Sequence, residues 1–250
     1  SVDMGKAFRF WRARASNASN FTAVIVGDFE MWQVAPLIER YLGSLPAGHV
    51  EAPADVGLGR PAGVVERTLQ RGMEPRAFTR IVIGDTLSLT LDADAALDAT
   101  RDVLDMVLYE KLREQMGGTY GVSVDVEVRR TPRPSFVFAI EFSAAPERVD
   151  TLAAAALAEI ERLRTRGPTP GEAEKVRKAA IEHNDEQSRG NTYWANELEW
   201  HSLTGWSLEA IARHGDDAAK VSAASLQAAC ARYLDGRRFV RVTRLPEGSP

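Results

Sequence analysis

Arg113 and Tyr120 are a forked cation and a phenol that lie before and after a predicted turn, which would direct both side chains to the same region. A guanidinium and a phenol both donate hydrogen bonds, so together they could bind a group that has acceptor oxygens. On residue type alone, a structural role is the simpler interpretation. An arginine near the end of a helix favours the helix dipole, and a tyrosine suits the start of a strand.

Hydrophobic spacing predicts the elements that hold this pair. Apolar residues at i, i+3, i+4 and i+8 share one face of a helix that runs to Met116. They are Leu104, Val107, Leu108 and Leu112. Gly117-Gly118 ends the helix, because glycine adopts left-handed backbone angles at little cost. Apolar and polar residues then alternate over 120–128, which predicts a strand. A tight turn between the two elements would direct Arg113 and Tyr120 to the same place.

The segment from Leu112 to Val122, LREQMGGTYGV, resembles the Leu-Arg-Glu-x-x-Gly-x-x-Tyr segment of the pitrilysin/insulinase family of zinc peptidases. In that family the segment lies in the C-terminal half. Its arginine and tyrosine reach across a chamber to the substrate backbone near the zinc ion. Arg113 and Tyr120 match these positions with the same spacing of seven. The resemblance therefore implies that Arg113 and Tyr120 bind the peptide substrate.

A second stretch, from Phe21 to Pro46, is similar to the same family. There a strand ends in Gly-Asp, which corresponds to Gly27-Asp28 here, a helix follows, and a turn with a tyrosine closes on Leu-Pro. The segment PTPGEAEKVRKAAIE also resembles a helix start that the family has late in each domain. An unrelated α+β module that carries LREQMGGTY by chance is the weaker alternative, because Phe21 to Pro46 also matches.

The histidines do not form the zinc site of that family, which binds the metal through an inverted His-x-x-Glu-His motif on a helix. The four histidines are His49, His183, His201 and His214, and no two lie within four positions of each other. The single cysteine, Cys230, excludes an internal disulfide and a cysteine-rich metal site. We therefore predict no metal ligand and no catalytic residue in this chain. Zinc would be bound by another domain of the parent enzyme, and this chain alone would be inactive.

Net charge and hydropathy narrow the possible classes of protein further. A net charge of −4 gives no reason to expect a nucleic-acid partner. No apolar run approaches the roughly 18 residues of a membrane span. Cys230 follows a helical apolar pattern, which indicates a buried structural role. The compartment stays unknown, with the bacterial periplasm and cytoplasm as the candidates that the resemblance suggests.

The whole pattern predicts an α+β fold, with a largely antiparallel sheet of about six strands and helices packed on one face. The predicted strands are 21–27, 64–70, 78–84, 120–128, 136–142 and 239–243. The resemblance implies that residues 1–250 are a single C-terminal, inactive domain of a pitrilysin-like peptidase, which completes the substrate chamber. Its expected partners are a peptide substrate and an N-terminal zinc-bearing half, on the same chain or a separate subunit.

The alternative function is a non-catalytic scaffold or peptide-binding subunit of the same fold. Mitochondrial processing peptidase and the core proteins of respiratory complexes contain such subunits. A His-x-x-Glu-His motif in the preceding sequence or in a neighbouring gene would support the enzyme, and its absence would support the scaffold.

Overall fold

The computed structural model describes residues 2–57, 59 and 61–248 of the chain. Within them the chain forms two compact units. The first unit contains the N-terminal residues up to Ala54 together with Asp185–Ala212, and the second contains Asp55–Asn184 together with the residues from Arg213 onward. The single domain predicted for residues 1–250 stays a prediction.

Helices and strands follow one another in nearly the predicted order. In the described residues the α-helices are α1 (Met4–Ala15), α2 (Met31–Tyr41), α3 (Leu91–Leu108), α4 (Val149–Arg166), α5 (Pro170–Gln187), α6 (Asn191–Thr204), α7 (His214–Ala219) and α8 (Ala223–Tyr233). The strands are β1 (Val64–Gln70), β2 (Ala77–Thr86), β3 (Thr119–Arg129), β4 (Ser135–Ala144) and β5 (Phe239–Leu245). Among the described helices, none combines the length and the hydropathy that a membrane span requires.

The second unit is built on a sheet of five strands in the order β1-β5-β2-β4-β3. β1 pairs in parallel with β5, and the other three pairs are antiparallel. The prediction of an α+β fold with a largely antiparallel sheet is therefore confirmed. The predicted number of about six strands was wrong, because residues 21–27 form no strand in the described chain.

Residues 21–26 have the composition of a buried strand but lack its environment. The side chains of Phe21 and Ile25 are 57% and 47% exposed. A strand persists only where its backbone N–H and C=O groups meet those of a neighbouring strand. The described residues of the first unit provide no such neighbour, so β propensity alone does not produce a strand there.

Polar contacts connect several segments within the first unit. In the described residues, α1 and α2 have no buried side chain. The Nδ2 of Asn17 donates a hydrogen bond of 2.7 Å to the carbonyl oxygen of His49, which fixes the loop after α2. On α6, His201 is buried, and its Nδ1 lies 2.8 Å from the carbonyl oxygen of Ser207.

The core of the second unit lies between the sheet and helices α3, α4 and α8. Alternate residues of β4 form its centre, as the period of a strand requires. They are Phe136, Phe138, Ile140, Phe142 and Ala144. Burial of each large apolar side chain stabilises the fold by about 1.5–3 kcal/mol relative to exposure. The predicted helix face is confirmed, since all four of its residues are buried in this core, namely Leu104, Val107, Leu108 and Leu112.

Candidate functional site

The helix that carries Arg113 changes geometry before it ends. The α-helix predicted to reach Met116 stops at Leu108 and continues as a π-helix over Tyr109–Gln115. In keeping with this, the N–H of Met116 donates to the carbonyl oxygen of Lys111, five residues earlier, at 3.1 Å. Such wide turns occur often at functional sites, because they change the direction of the side chains. Arg113 is exposed, and its guanidinium carbon lies 4.8 Å from the centre of the Tyr109 ring.

Gly117 and Gly118 end this helix for two different reasons. Gly117 has φ of +56°, where a side chain would strain the backbone, and its N–H donates to the carbonyl oxygen of Arg113 at 3.0 Å. A Cβ on Gly118 would lie 2.7 Å from the Cδ2 of Leu152, which belongs to the buried core. The first glycine sets the direction of the chain, and the second allows the turn to approach α4.

Arg148 holds the same turn from outside. Its guanidinium donates hydrogen bonds of 2.9 Å to the carbonyl oxygen of Met116 and of 3.3 Å to that of Gly117. These carbonyls lie at the end of a helix, where they lack a partner within the helix itself. A cation is also favoured at this negative end of the helix dipole. The turn that leads to Tyr120 is thus fixed by a side chain as well as by its glycines.

Tyr120 lies in a β-bulge at the start of β3. Thr119 pairs with Ala144, and Val122 pairs with Phe142, so that Tyr120 and Gly121 together face one residue of β4. The hydroxyl of Thr119 donates to the carbonyl oxygen of Gly121 at 2.8 Å and accepts from its N–H at 3.2 Å. A bulge of this kind redirects a side chain away from the regular alternation of the strand. Tyr120 is accordingly 80% exposed.

The structure gives Arg113 and Tyr120 different partners. Arg113 stacks on Tyr109, whereas the ring of Tyr120 lies under Arg76, with 4.9 Å between the guanidinium carbon and the ring centre. Among the described residues, no hydrogen bond or ring contact joins Arg113 directly to Tyr120. Both side chains are exposed at the two ends of the same fixed turn. Their predicted role in substrate binding stays a prediction.

Arg76 is the residue of this region that the sequence analysis missed. It directly precedes β2, and Ala77 pairs with Ala144, which pairs in turn with Thr119. The starts of β2 and β3 therefore flank the end of β4, and the Arg76 side chain crosses this end to reach Tyr120. Only the strand register brings the two together. The sequence does not give that register. It shows only that an arginine comes shortly before the predicted strand 78–84.

Two carboxyl groups on α3, near β3, have altered pKa values. Burial raises the pKa of Asp102, while Arg101, at 2.8 Å, acts in the opposite direction. Burial also raises the pKa of Asp105, against the lowering effect of a hydrogen bond from the N–H of Val124. Neither carboxyl contacts Arg113 or Tyr120 in the described structure, so neither group enters the candidate site.

Comparison with known families identifies the class of protein. The model of the peptidase M16 inactive domain matches residues 7–180, which is more than half of the chain. The chain therefore belongs to this family, and its resemblance to a C-terminal domain of the pitrilysin family is confirmed. A comparison with curated proteins finds no match.

Solved structures of proteases share the fold at low sequence identity. The chain is similar to the ferredoxin protease FusC, solved as a mutant in complex with Arabidopsis ferredoxin, with a TM-score of 0.75, 20% identity, and coverage of 99% of this chain and 27% of FusC. It is similar to the periplasmic protease PqqL of Escherichia coli with a TM-score of 0.70, 23% identity, and coverage of 89% and 25%. For the separately solved first half of PqqL, the values are 0.68, 14%, 88% and 50%. The chain thus spans about a quarter of two of these proteases and half of one protease half.

Proposed function

We propose that this chain is the inactive domain that completes the substrate chamber of a zinc-dependent endopeptidase of the pitrilysin family. Membership in the peptidase M16 inactive-domain family supports this function. The partner would be an N-terminal zinc-bearing half, on the same chain or as a separate subunit. The lengths agree with such an assembly, since the chain covers 25% of PqqL and 50% of its first half.

The zinc ion would be bound by the N-terminal half of the enzyme. The His-x-x-Glu-His motif through which this family binds zinc is absent from the sequence, whose histidines all lie more than four positions apart. The residues of this chain therefore do not fit the family's metal site. Its own contribution is to bind and orient the peptide.

The observation that carries the proposal is the exposure of Tyr120 on a fixed backbone. Its phenol is open to solvent, while the bulge, the glycine turn and Arg148 determine the position of its Cα. Arg113, on the other side of the turn, presents five N–H donors. These two side chains would donate hydrogen bonds to a peptide carbonyl, or to the oxyanion that develops from it, from the wall opposite the zinc ion. Donors that are positioned in advance stabilise such a charge most, because they need no reorganisation.

The test combines this chain with its zinc-bearing half, which the preceding sequence or a neighbouring gene would encode. Peptide hydrolysis and zinc content are measured for each part alone and for the mixture. We expect no hydrolysis by this chain alone, hydrolysis by the mixture, and its loss in Arg113→Ala. Arg130→Ala, which changes an exposed arginine in the loop between β3 and β4, is the matched control and should retain activity.

Two results would contradict the proposal. Full activity of the mixture with Arg113→Ala would remove the substrate-wall role. Peptide binding without hydrolysis, in a complex that lacks zinc in both parts, would instead support the scaffold or peptide-binding subunit.

A further inference from the structure

Four cations near the turn that leads to Tyr120 have no carboxylate partner among the described residues. In the described part of the chain, Arg76, Lys111, Arg113 and Arg148 form no ion pair. Lys111 donates to the amide oxygen of Gln115 at 3.2 Å, and Arg148 donates to backbone carbonyls. The two remaining guanidinium groups stack on tyrosine rings. Other arginines of the second unit do pair with acids, for example Arg80 with Glu141 at 2.9 Å and Arg177 with Glu174 at 2.7 Å.

Acidic residues occur close by in the sequence, but in the described structure their carboxylates form no ion pair with these four cations. Glu74, Glu110, Glu114 and Glu147 each lie within a few positions of one of the four cations. Among the described residues, none of these carboxylates pairs with them. Glu74 contacts Arg76 only through the backbone, where its carbonyl oxygen accepts the N–H of Arg76 at 2.7 Å. A guanidinium that forms no ion pair within the described chain is available to an anionic group from outside.

Arg76 is the cation best placed to bind such a group. A guanidinium that stacks on an aromatic ring uses its face, and its N–H donors remain directed outward in the plane. The ring beneath it also orders the side chain, which reduces the conformational entropy that binding would cost. A planar fork of N–H donors matches the two oxygens of a carboxylate. The guanidinium carbon of Arg76 lies 4.9 Å from the centre of the Tyr120 ring, so the fork lies beside the tyrosine that would hold the peptide.

We propose that Arg76 binds a carboxylate side chain of the peptide substrate, and so gives the enzyme a preference for an acidic residue beside the segment held by Arg113 and Tyr120. This inference rests on the proposed function, because it requires a peptide at Tyr120. It adds a specificity-determining residue on the loop between β1 and β2, a part of the chain that neither the resemblance nor the family match assigns to the substrate.

The test uses the assembled enzyme and internally quenched peptides in matched pairs. Each pair differs only by Glu or Gln at one position, and successive pairs move this position along the peptide. We expect one position at which Glu is preferred in kcat/KM by at least about threefold. In Arg76→Gln this ratio should fall to about one. Arg76→Lys, which keeps the charge but lacks the fork, should give an intermediate ratio.

Arg71→Gln is the matched control, since it removes an exposed arginine from the same loop and should leave the preference unchanged. A preference that persists in Arg76→Gln, or the absence of any preference for Glu, would overturn the inference. If Tyr120→Phe still lowers turnover in that case, the proposed function stands. If Arg113→Ala and Tyr120→Phe both retain full activity, the proposed function fails and this inference fails with it.

Discussion

Asp105 on α3 accepts a hydrogen bond from the backbone N–H of Val124 on β3, with 3.1 Å between Oδ1 and N. β3 is the last strand of the sheet, so its N–H groups that point away from β4 have no strand to pair with in the described sheet. Val124 is buried, which means that water does not readily replace this acceptor. The contact therefore protects one backbone group of an edge strand and ties β3 to α3.

Asp105→Ala should destabilise the protein by about 1–3 kcal/mol, the usual result of leaving a buried donor without a partner. Asp105→Asn keeps an oxygen acceptor and removes the charge that burial disfavours, so its effect should be clearly smaller. Denaturant unfolding measures both variants, and amide hydrogen exchange at Val124 locates the change. Equal losses in the two variants would show that the contact contributes through charge and not through the acceptor.

The raised pKa of Asp102 predicts that the stability of the protein depends on pH. Burial raises its pKa above the ordinary value of 3.8, so the folded protein holds the proton more tightly than the unfolded chain. The contribution of Asp102 to the free energy of unfolding should therefore fall as pH rises from about 3.8 through the raised pKa, and level off above it. Asp102→Asn does not ionise, so its stability relative to the wild type should increase over the same interval. Unfolding curves between about pH 3 and pH 7 test this, with the exposed Asp28→Asn as control. A constant difference across this range would contradict it.

Gly118→Ala should destabilise the second unit by about 1–3 kcal/mol, because the new methyl group overlaps with buried Leu152. Gly121→Ala is the control, since no atom lies within 4 Å of the Cβ that it would add. The double variant Gly118→Ala with Leu152→Ala should lose less than the sum of the two single losses, because the shortened side chain makes room. Thermal or denaturant unfolding measures the stability of Gly118→Ala, Gly121→Ala, Leu152→Ala and the double variant. Additive losses would mean that Leu152 is not the obstacle.

Cys230 should be unreactive in the folded protein. Its side chain is completely buried, and burial raises the pKa of the thiol to about 12. The thiolate is the reactive species, so very little of it exists at pH 8. A disulfide reagent such as dithionitrobenzoate should therefore react only at the rate of unfolding, and rapidly in denaturant. Fast stoichiometric reaction under native conditions would place Cys230 in a mobile part of α8.

Tyr120→Phe should lower kcat of the assembled enzyme by much more than it raises KM. The phenol would donate to charge that develops in the transition state, whereas the ring and its stacking on Arg76 are retained. Tyr109→Phe is a matched control, because that ring also stacks under an arginine but lies on the π-helix. Equal catalysis by Tyr120→Phe would exclude the role of the hydroxyl, and a change in KM alone would indicate uniform binding.

Individual helices and strands of the second unit could be predicted because short stretches of the sequence determine them. The sequence Thr169-Pro170-Gly171-Glu172 has the spacing of a capping box. In the structure it begins α5, with Thr169 Oγ1 accepting the N–H of Glu172 at 3.2 Å and Glu172 accepting the N–H of Thr169 at 2.7 Å. The alternation of Phe136, Phe138 and Ile140 likewise shows which face of β4 meets the helices. Both patterns arise within a few residues of the chain, where spacing determines geometry.

The remaining features depend on contacts between distant parts of the chain. The parallel pairing of β1 with β5 joins residues more than 150 positions apart, so no short window contains it. The π-helix has the apolar spacing of an ordinary helix and differs only in its hydrogen bonds. Residues 21–26 have strand composition without a neighbouring strand in the described chain. Arg76 lies beside Tyr120 only because of the register of β2, β4 and β3.

The bulge at Tyr120 and Gly121 constrains the length of the chain. Side chains along a strand alternate between its two faces, so removal of one residue between the glycine turn and Val122 would exchange the two faces of β3 or displace Tyr120. Single-residue insertions and deletions should therefore be absent between Arg113 and Val124 in homologous proteins with this bulge. Substitutions at Gly121, where a Cβ meets no atom, should be tolerated far better. The pairing of β3 with β4 therefore fixes the interval of seven residues between Arg113 and Tyr120.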